Sequence, residues 1–213
     1  RERWRGGTAG HIVTGSVRPL NGRSVTDSRG ASDREAVAGL GSLARLHAML
    51  GQVNRCIARV ETCDALWTGV CRGAVEQGGF SVAWGGLLGE AARTVTAVAS
   101  HGASLGELPS TPFSVAPHGH DAMARAVSGG RAVVTTDPAD QVRLLPRRQP
   151  IESAAVRAVV RAVAVVPFRC RGHVVGVLTV GSADTSLVEG PGPLGLLDLL
   201  GDDVSHSLDA LEL

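Results

Sequence analysis

The residues best suited to chemistry in this chain are few. His118-Gly119-His120 with Asp121 beside it sets two imidazoles at i and i+2 next to a carboxylate. Two such ligands hold one ion only if a third arrives from elsewhere, and His101 and Asp137 are the candidates. The simpler reading is a surface loop with incidental histidines, so the sequence requires no metal. The four cysteines, Cys56, Cys63, Cys71 and Cys170, form no Cys-x-x-Cys pair and no regular framework. They read as reduced structural thiols of a cytoplasmic protein, in separate places.

Composition narrows the field. The chain has 213 residues, 44% of them hydrophobic, enough for one domain with tails and a sizeable core. Aromatics make up only 3% and Tyr is absent, so that core is built mainly from Val, Leu and Ala. A formal net charge of +1 gives no electrostatic case for nucleic acid or an anionic membrane surface as partner. No apolar run reaches the roughly 18–20 residues that span a bilayer. The start lacks both Met and an apolar signal segment, and reads as a piece cut from a longer protein.

The elements that would position these residues follow from periodicity. Residues 1–33 are rich in Gly, Ser, Thr and Arg and read as a linker or lead-in. A helix over 34–62 follows, capped near Asp33, with Leu43, Leu46, Leu50, Val53, Ile57 and Val60 in steps of three and four. That seam suits either a helix lying on its own domain or a signalling helix paired with a second copy. The domain proper is expected over 63–213. A helix capped by Thr62 or Asp64 runs to about Gln77, where Gly78-Gly79 stops it. Strands are predicted from Phe80 to Leu88 and from Arg93 to Ser100, then a loop to Val115 and a short helix from Gly119 to Ser128. A strand from Arg131 to Thr136 ends at Asp137-Pro138, read as a turn. A loop through Pro150 and a helical stretch from Ser153 to Val159 come next. Two strands, Arg161 to Arg169 and His173 to Gly181, flank a tight turn. A last helix from Pro193 carries Leu197, Leu200, Val204, Leu208 and Leu211 on one face. The fold class is α+β: a central antiparallel sheet of five or six strands, with the N- and C-terminal helices on one face. The first strand is expected between the second and the last.

Several runs are similar to one family. Val75-Glu76-Gln77-Gly78-Gly79-Phe80-Ser81-Val82-Ala83-Trp84 resembles the passage that opens the first strand of bacterial GAF domains. Leu46 to Asn54 looks like their lead helix. Ala126 to Asp137 resembles their A-x-x-x-G-R-P-V-V-x-x-D, with Ala132 in place of the Pro. Pro167-Phe168 followed by Gly172 to Leu178 resembles their P-L…G-x-x-I-G-V-L. Together the matches run from about Leu40 to Leu211.

The resemblance implies a ligand pocket on the sheet face away from the terminal helices, under the loops at His101–His120 and Gln141–Ile151. Trp84, Phe113, Met123 and Phe168 are then candidate walls, and His118, His120, Thr135 and Thr179 candidate polar contacts. Bilin-binding members use a Cys followed by His, a pair this chain lacks. Cyclic-nucleotide-binding members carry an N-K signature, and the chain has no Lys. A haem-binding member would take His118 or His120 as axial ligand, which nothing here requires. The function expected is a cytoplasmic, non-catalytic sensor for an unidentified small molecule. It would relay through terminal helices to an output domain for cyclic-di-GMP turnover or histidine kinase activity. A homodimer is expected through Leu43, Leu46, Leu50, Val53 and Ile57 with Leu200, Val204, Leu208 and Leu211. The alternatives are a small enzyme of the free methionine sulfoxide reductase kind, which needs cysteines around the pocket, or a ligand-free dimerisation module.

Overall fold

A computed structural model of the chain describes residues 25–89, 94–102, 112–115, 119–144 and 160–211. His118, the expected helical stretch from Ser153 to Val159 and most of the lead-in lie outside these residues.

Helix α1 (Val25–Ile57) starts at Val25, not near Asp33. No proline stands between Pro19 and Ile57, so nothing in the chain forbids the earlier start. Helix α2 (Cys63–Glu76) begins as expected, with Thr62 Oγ1 accepting from the Ala65 N–H at 3.3 Å. It ends where Gln77 and Gly78 both donate to the Gly73 carbonyl, and Gly79 takes the left-handed backbone at φ +75.

Among the described residues six strands follow: β1 (Val82–Leu88), β2 (Thr94–Gly102), β3 (Phe113–Ser114), β4 (Val133–Thr135), β5 (Ala162–Cys170) and β6 (His173–Ser182). Their order is β3-β2-β1-β6-β5-β4, antiparallel throughout. The first strand is flanked by the second and the last, as the sequence predicts. β3 lies in the stretch read as loop, since two residues are too few to display alternation. Between the strands run α3 (Ala122–Gly129) and α4 (Pro138–Leu144), and the chain closes with a 3₁₀ turn at Thr185–Leu187 and α5 (Pro191–Leu211). α4 is a correction to the expected turn. The Asp137 carboxylate accepts from the Ala139 N–H at 2.8 Å and Pro138 occupies the first helical position, so the dipeptide starts a helix.

Helices α2 and α5 pack on one face of the sheet, and α1 lies over both in an outer layer. Trp67 of α2 rests flat on the strands because Gly85 and Gly176 leave room. A Cβ at Gly176 would stand 2.7 Å from its ring. Leu46, Leu50 and Val53 are buried in this helix-side core with Leu200, Val204 and Leu208, while Ile57 and Leu211 pack at its edge and Leu43 is half-buried. The seam expected to meet a second copy is therefore spent inside the chain. Heptad spacing states that a helix needs an apolar partner but not which one, and here α2 and α5 supply it. No described helix is long and apolar enough to cross a membrane.

Candidate ligand site

A second core covers the other face of the sheet. Strand alternation puts Val82 and Trp84 of β1 on this side, with Val163, Val165 and Val177 from β5 and β6. α3 and α4 lie over them and bring Met123 and Leu144. The Trp84 indole N–H donates to the Leu144 carbonyl at 2.8 Å. The two short helices are clasped to each other. Asp121 caps α3 by accepting from the Ala124 N–H at 2.8 Å, and its other oxygen lies 3.3 Å from the Arg143 guanidinium. Asp140 of α4 accepts from the Ala122 N–H at 3.3 Å.

Between these groups is a cavity of about 210 Å³, lined by Trp84, Ser114, Asp121, Met123, Arg143 and Leu144. Indole, thioether and leucine give it apolar walls, while a hydroxyl, a carboxylate and a guanidinium supply orienting groups. Thr179 pairs across the sheet with both Trp84 and Val165, so its hydroxyl belongs to the same face. That hydroxyl is fully buried and has no hydrogen-bond partner among the described residues.

Of the expected pocket residues, the fold brings Trp84 and Met123 to the cavity and Thr179 to the same face. Thr135 is buried on β4, where its hydroxyl accepts from the Asp137 N–H at 3.2 Å. His120 is exposed just ahead of the α3 cap, and Phe113 sits in edge strand β3 beside Ser114. Phe168 is a correction. It belongs to the helix-side core, its ring centroid 5.2 Å from that of Trp67, because alternation along β5 turns it away from Val165. Asp121, the carboxylate beside His118 and His120 in sequence, is a helix cap. Arg143 and Leu144 were missed with the helix that carries them. Reading Asp137-Pro138 as a helix start would have found both.

The suggested third metal ligands point elsewhere. His101 lies 3.5 Å from Glu76 of α2, and Asp137 caps α4. Among the described residues, no three His, Cys, Asp or Glu side chains form a group able to hold a metal ion. The four cysteines are free thiols, and none lines the cavity. Cys71 and Cys170 are buried in the helix-side core, and burial pushes the Cys71 thiol up to about 12. Cys56 is half-buried and Cys63 exposed.

A larger groove of about 680 Å³ lies between the end of α3 and the β5–β6 hairpin, with Gly130, Arg169 and His173 among its lining. It is open to solvent, and its guanidinium is already engaged by the Gly130 carbonyl, with Asp202 at 3.7 Å. The smaller, better enclosed cavity is the stronger candidate for a ligand site.

No protein-family model matches the sequence, and no curated protein matches it. Solved structures do match. A GAF domain from A. aeolicus in an inactive state superposes with a TM-score of 0.57 at 14% identity, over 78% of this chain and 96% of that one. The GAF domain of an Acinetobacter phosphoenolpyruvate-protein phosphotransferase gives 0.58 at 14% identity, over 77% and 92%. The fold is that of a GAF domain.

The free methionine-R-sulfoxide reductase of Neisseria meningitidis, solved with its substrate, is similar to this chain too. Its TM-score is 0.58 at 18% identity, over 78% of this chain and 90% of that one. This corrects the expectation of a domain without catalysis, since an enzyme shares the architecture.

Proposed function

We propose that this GAF domain is the sensor of a cytoplasmic signalling protein, and that it holds a small molecule in the cavity bounded by Trp84 and Arg143. The observation that carries this reading is the cavity itself: apolar walls, convergent polar groups, and a fully buried Thr179 hydroxyl on the same face that still lacks a partner. About 210 Å³ is below the roughly 300–1,000 Å³ of drug-sized sites, which favours a small metabolite.

Relay to an output domain, for cyclic-di-GMP turnover or histidine kinase activity, would run through α5. Three polar bonds support that route. Asp198 accepts from the Ala132 N–H at 2.7 Å, just past the turn that ends α3. Ser205 accepts from the Arg169 N–H at 2.8 Å, and Asp209 from the Arg171 N–H at 2.6 Å. A ligand that shifts α3 over the cavity would bear on the first half of α5 through Asp198, and on its second half through Arg169, whose guanidinium donates to the Gly130 carbonyl at the end of α3.

A homodimer through the N-terminal half of α1 is part of the same proposal. Val37 and Leu40 are 69% and 68% exposed, and no neighbour lies within 4 Å of where a Cβ would stand at Gly39 or Gly41. A helix gains most of its stability by packing an apolar face, so a second copy alongside Val37 and Leu40 would stabilise this half. Native mass spectrometry of protein purified from its source tests both parts. The expected species is a dimer that carries a small non-covalent mass, and Val37→Asp with Leu40→Asp reduces it to a folded monomer. A bare monomer at all practical concentrations would overturn the reading.

A further inference from the structure

We propose that the cleft where the end of α1 meets α2 binds a phosphate-type oxyanion, at a site separate from the far-face cavity. The cleft holds about 260 Å³ and is lined by Gln52, Arg55, Cys56, Arg59, Val60 and Arg72. Its three guanidiniums come from three places. Arg55 lies in the last turn of α1, Arg59 in the turn just after it, and Arg72 on α2.

The glycines Gly69 and Gly73 of α2 bring them together. A Cβ at Gly69 would overlap the Cys56 sulfur, and one at Gly73 would stand 3.3 Å from the Val53 side chain. The two helices approach this closely only because those positions carry no side chain. Arg72, next to Gly73, is thereby set beside the end of α1.

The charge gathered there is uncompensated. Among the described residues none of the three guanidiniums has a carboxylate partner, whereas Arg45, Arg131, Arg143 and Arg169 each have one. Arg55 donates to Gln52 Oε1 at 2.9 Å, which holds it against the cleft wall and leaves the Gln52 amide N–H groups as further donors. Arg55 and Arg59 also complement the negative end of the α1 dipole, which is a sufficient reason for two cations there. It does not account for Arg72, which stands just before the last turn of α2 and adds a third like charge to the same cleft. A shared oxyanion does account for it. Guanidinium forks match phosphate oxygens two at a time, and three forks around one small volume select for a compact, multiply charged anion. With a net charge of only +1, the chain has no general attraction for polyanions, so binding would be local to this cleft.

The test uses the whole chain and inorganic pyrophosphate as probe. A saturable rise in melting temperature is expected, beyond that in sodium chloride of equal ionic strength. Arg59→Gln with Arg72→Gln weakens the apparent affinity at least about tenfold. Arg125→Gln, on the exposed side of α3, leaves it unchanged. In a Cys63→Ser background, saturating pyrophosphate slows alkylation of Cys56, which reads occupancy at the cleft. No effect beyond the salt control, an effect that survives the double substitution, or unchanged Cys56 alkylation overturns the proposal. So does binding to vesicles with phosphomonoester headgroups when free pyrophosphate has no effect.

Discussion

The indole N–H of Trp84 and the carbonyl of Leu144, 2.8 Å apart, tie the middle of the sheet's far face to the last residue of α4. This bond fixes the short helix that carries Arg143 over the cavity. The Trp84→Phe variant keeps most of the ring and loses the donor, leaving a buried carbonyl unpaired. A loss of about 1–3 kcal/mol is expected. Denaturant unfolding should register it as a lower midpoint at unchanged slope. An unchanged midpoint would mean that α4 is held by other means.

Phe168 and Met123 should separate cleanly. Phe168→Ala removes a ring from the helix-side core and should cost about 3–5 kcal/mol, with ligand retention by the folded protein unchanged. Met123→Ala should reduce retention at a smaller stability cost, because its side chain faces the cavity. Loss of retained ligand in a folded Phe168 variant would return that residue to the pocket.

Thr179→Val is expected to stabilise the ligand-free protein by about 1 kcal/mol or more. It replaces a buried hydroxyl that has no partner with a methyl group of similar shape. The same change should weaken ligand binding if the hydroxyl is a contact. Thermal unfolding of ligand-stripped wild type and variant reads the first effect, and a lower melting temperature in the variant would contradict it.

Asp184 joins α1 to the 3₁₀ turn, and its carboxyl is held below its ordinary value of 3.8. The Ser186 hydroxyl is the main cause and Arg45, at 2.7 Å, a further one. A depressed folded-state value means stability that is present above 3.8 and lost as pH falls through and below it. Asp184→Asn should therefore be less stable than wild type at pH 7, by under about 1 kcal/mol for a half-exposed group. The gap should shrink in acid. A gap independent of pH would assign the effect to packing.

The sheet was legible in the sequence because β1 and β2 carry turn-bounded apolar runs and β5 and β6 close on the short turn Arg171-Gly172. The facing of Phe168 was not legible. Every residue from Ala162 to Phe168 is buried, so alternation leaves no polar side to read. The destination of the α1 seam was hidden for a related reason: Leu46, Leu50 and Val53 pack as well against helices of their own chain as against a copy. Asp137-Pro138 is written alike at the start of a turn and of a helix, and that ambiguity concealed Arg143 and Leu144.

A crystal structure of protein purified from its source, without added ligand, tests the central claim most directly. The expected result is density for a small molecule between Trp84, Met123 and Arg143, in the cavity of about 210 Å³. Retained density seated instead in the groove between Gly130 and His173, or a cavity closed by Met123 and Leu144 with nothing bound, would contradict it.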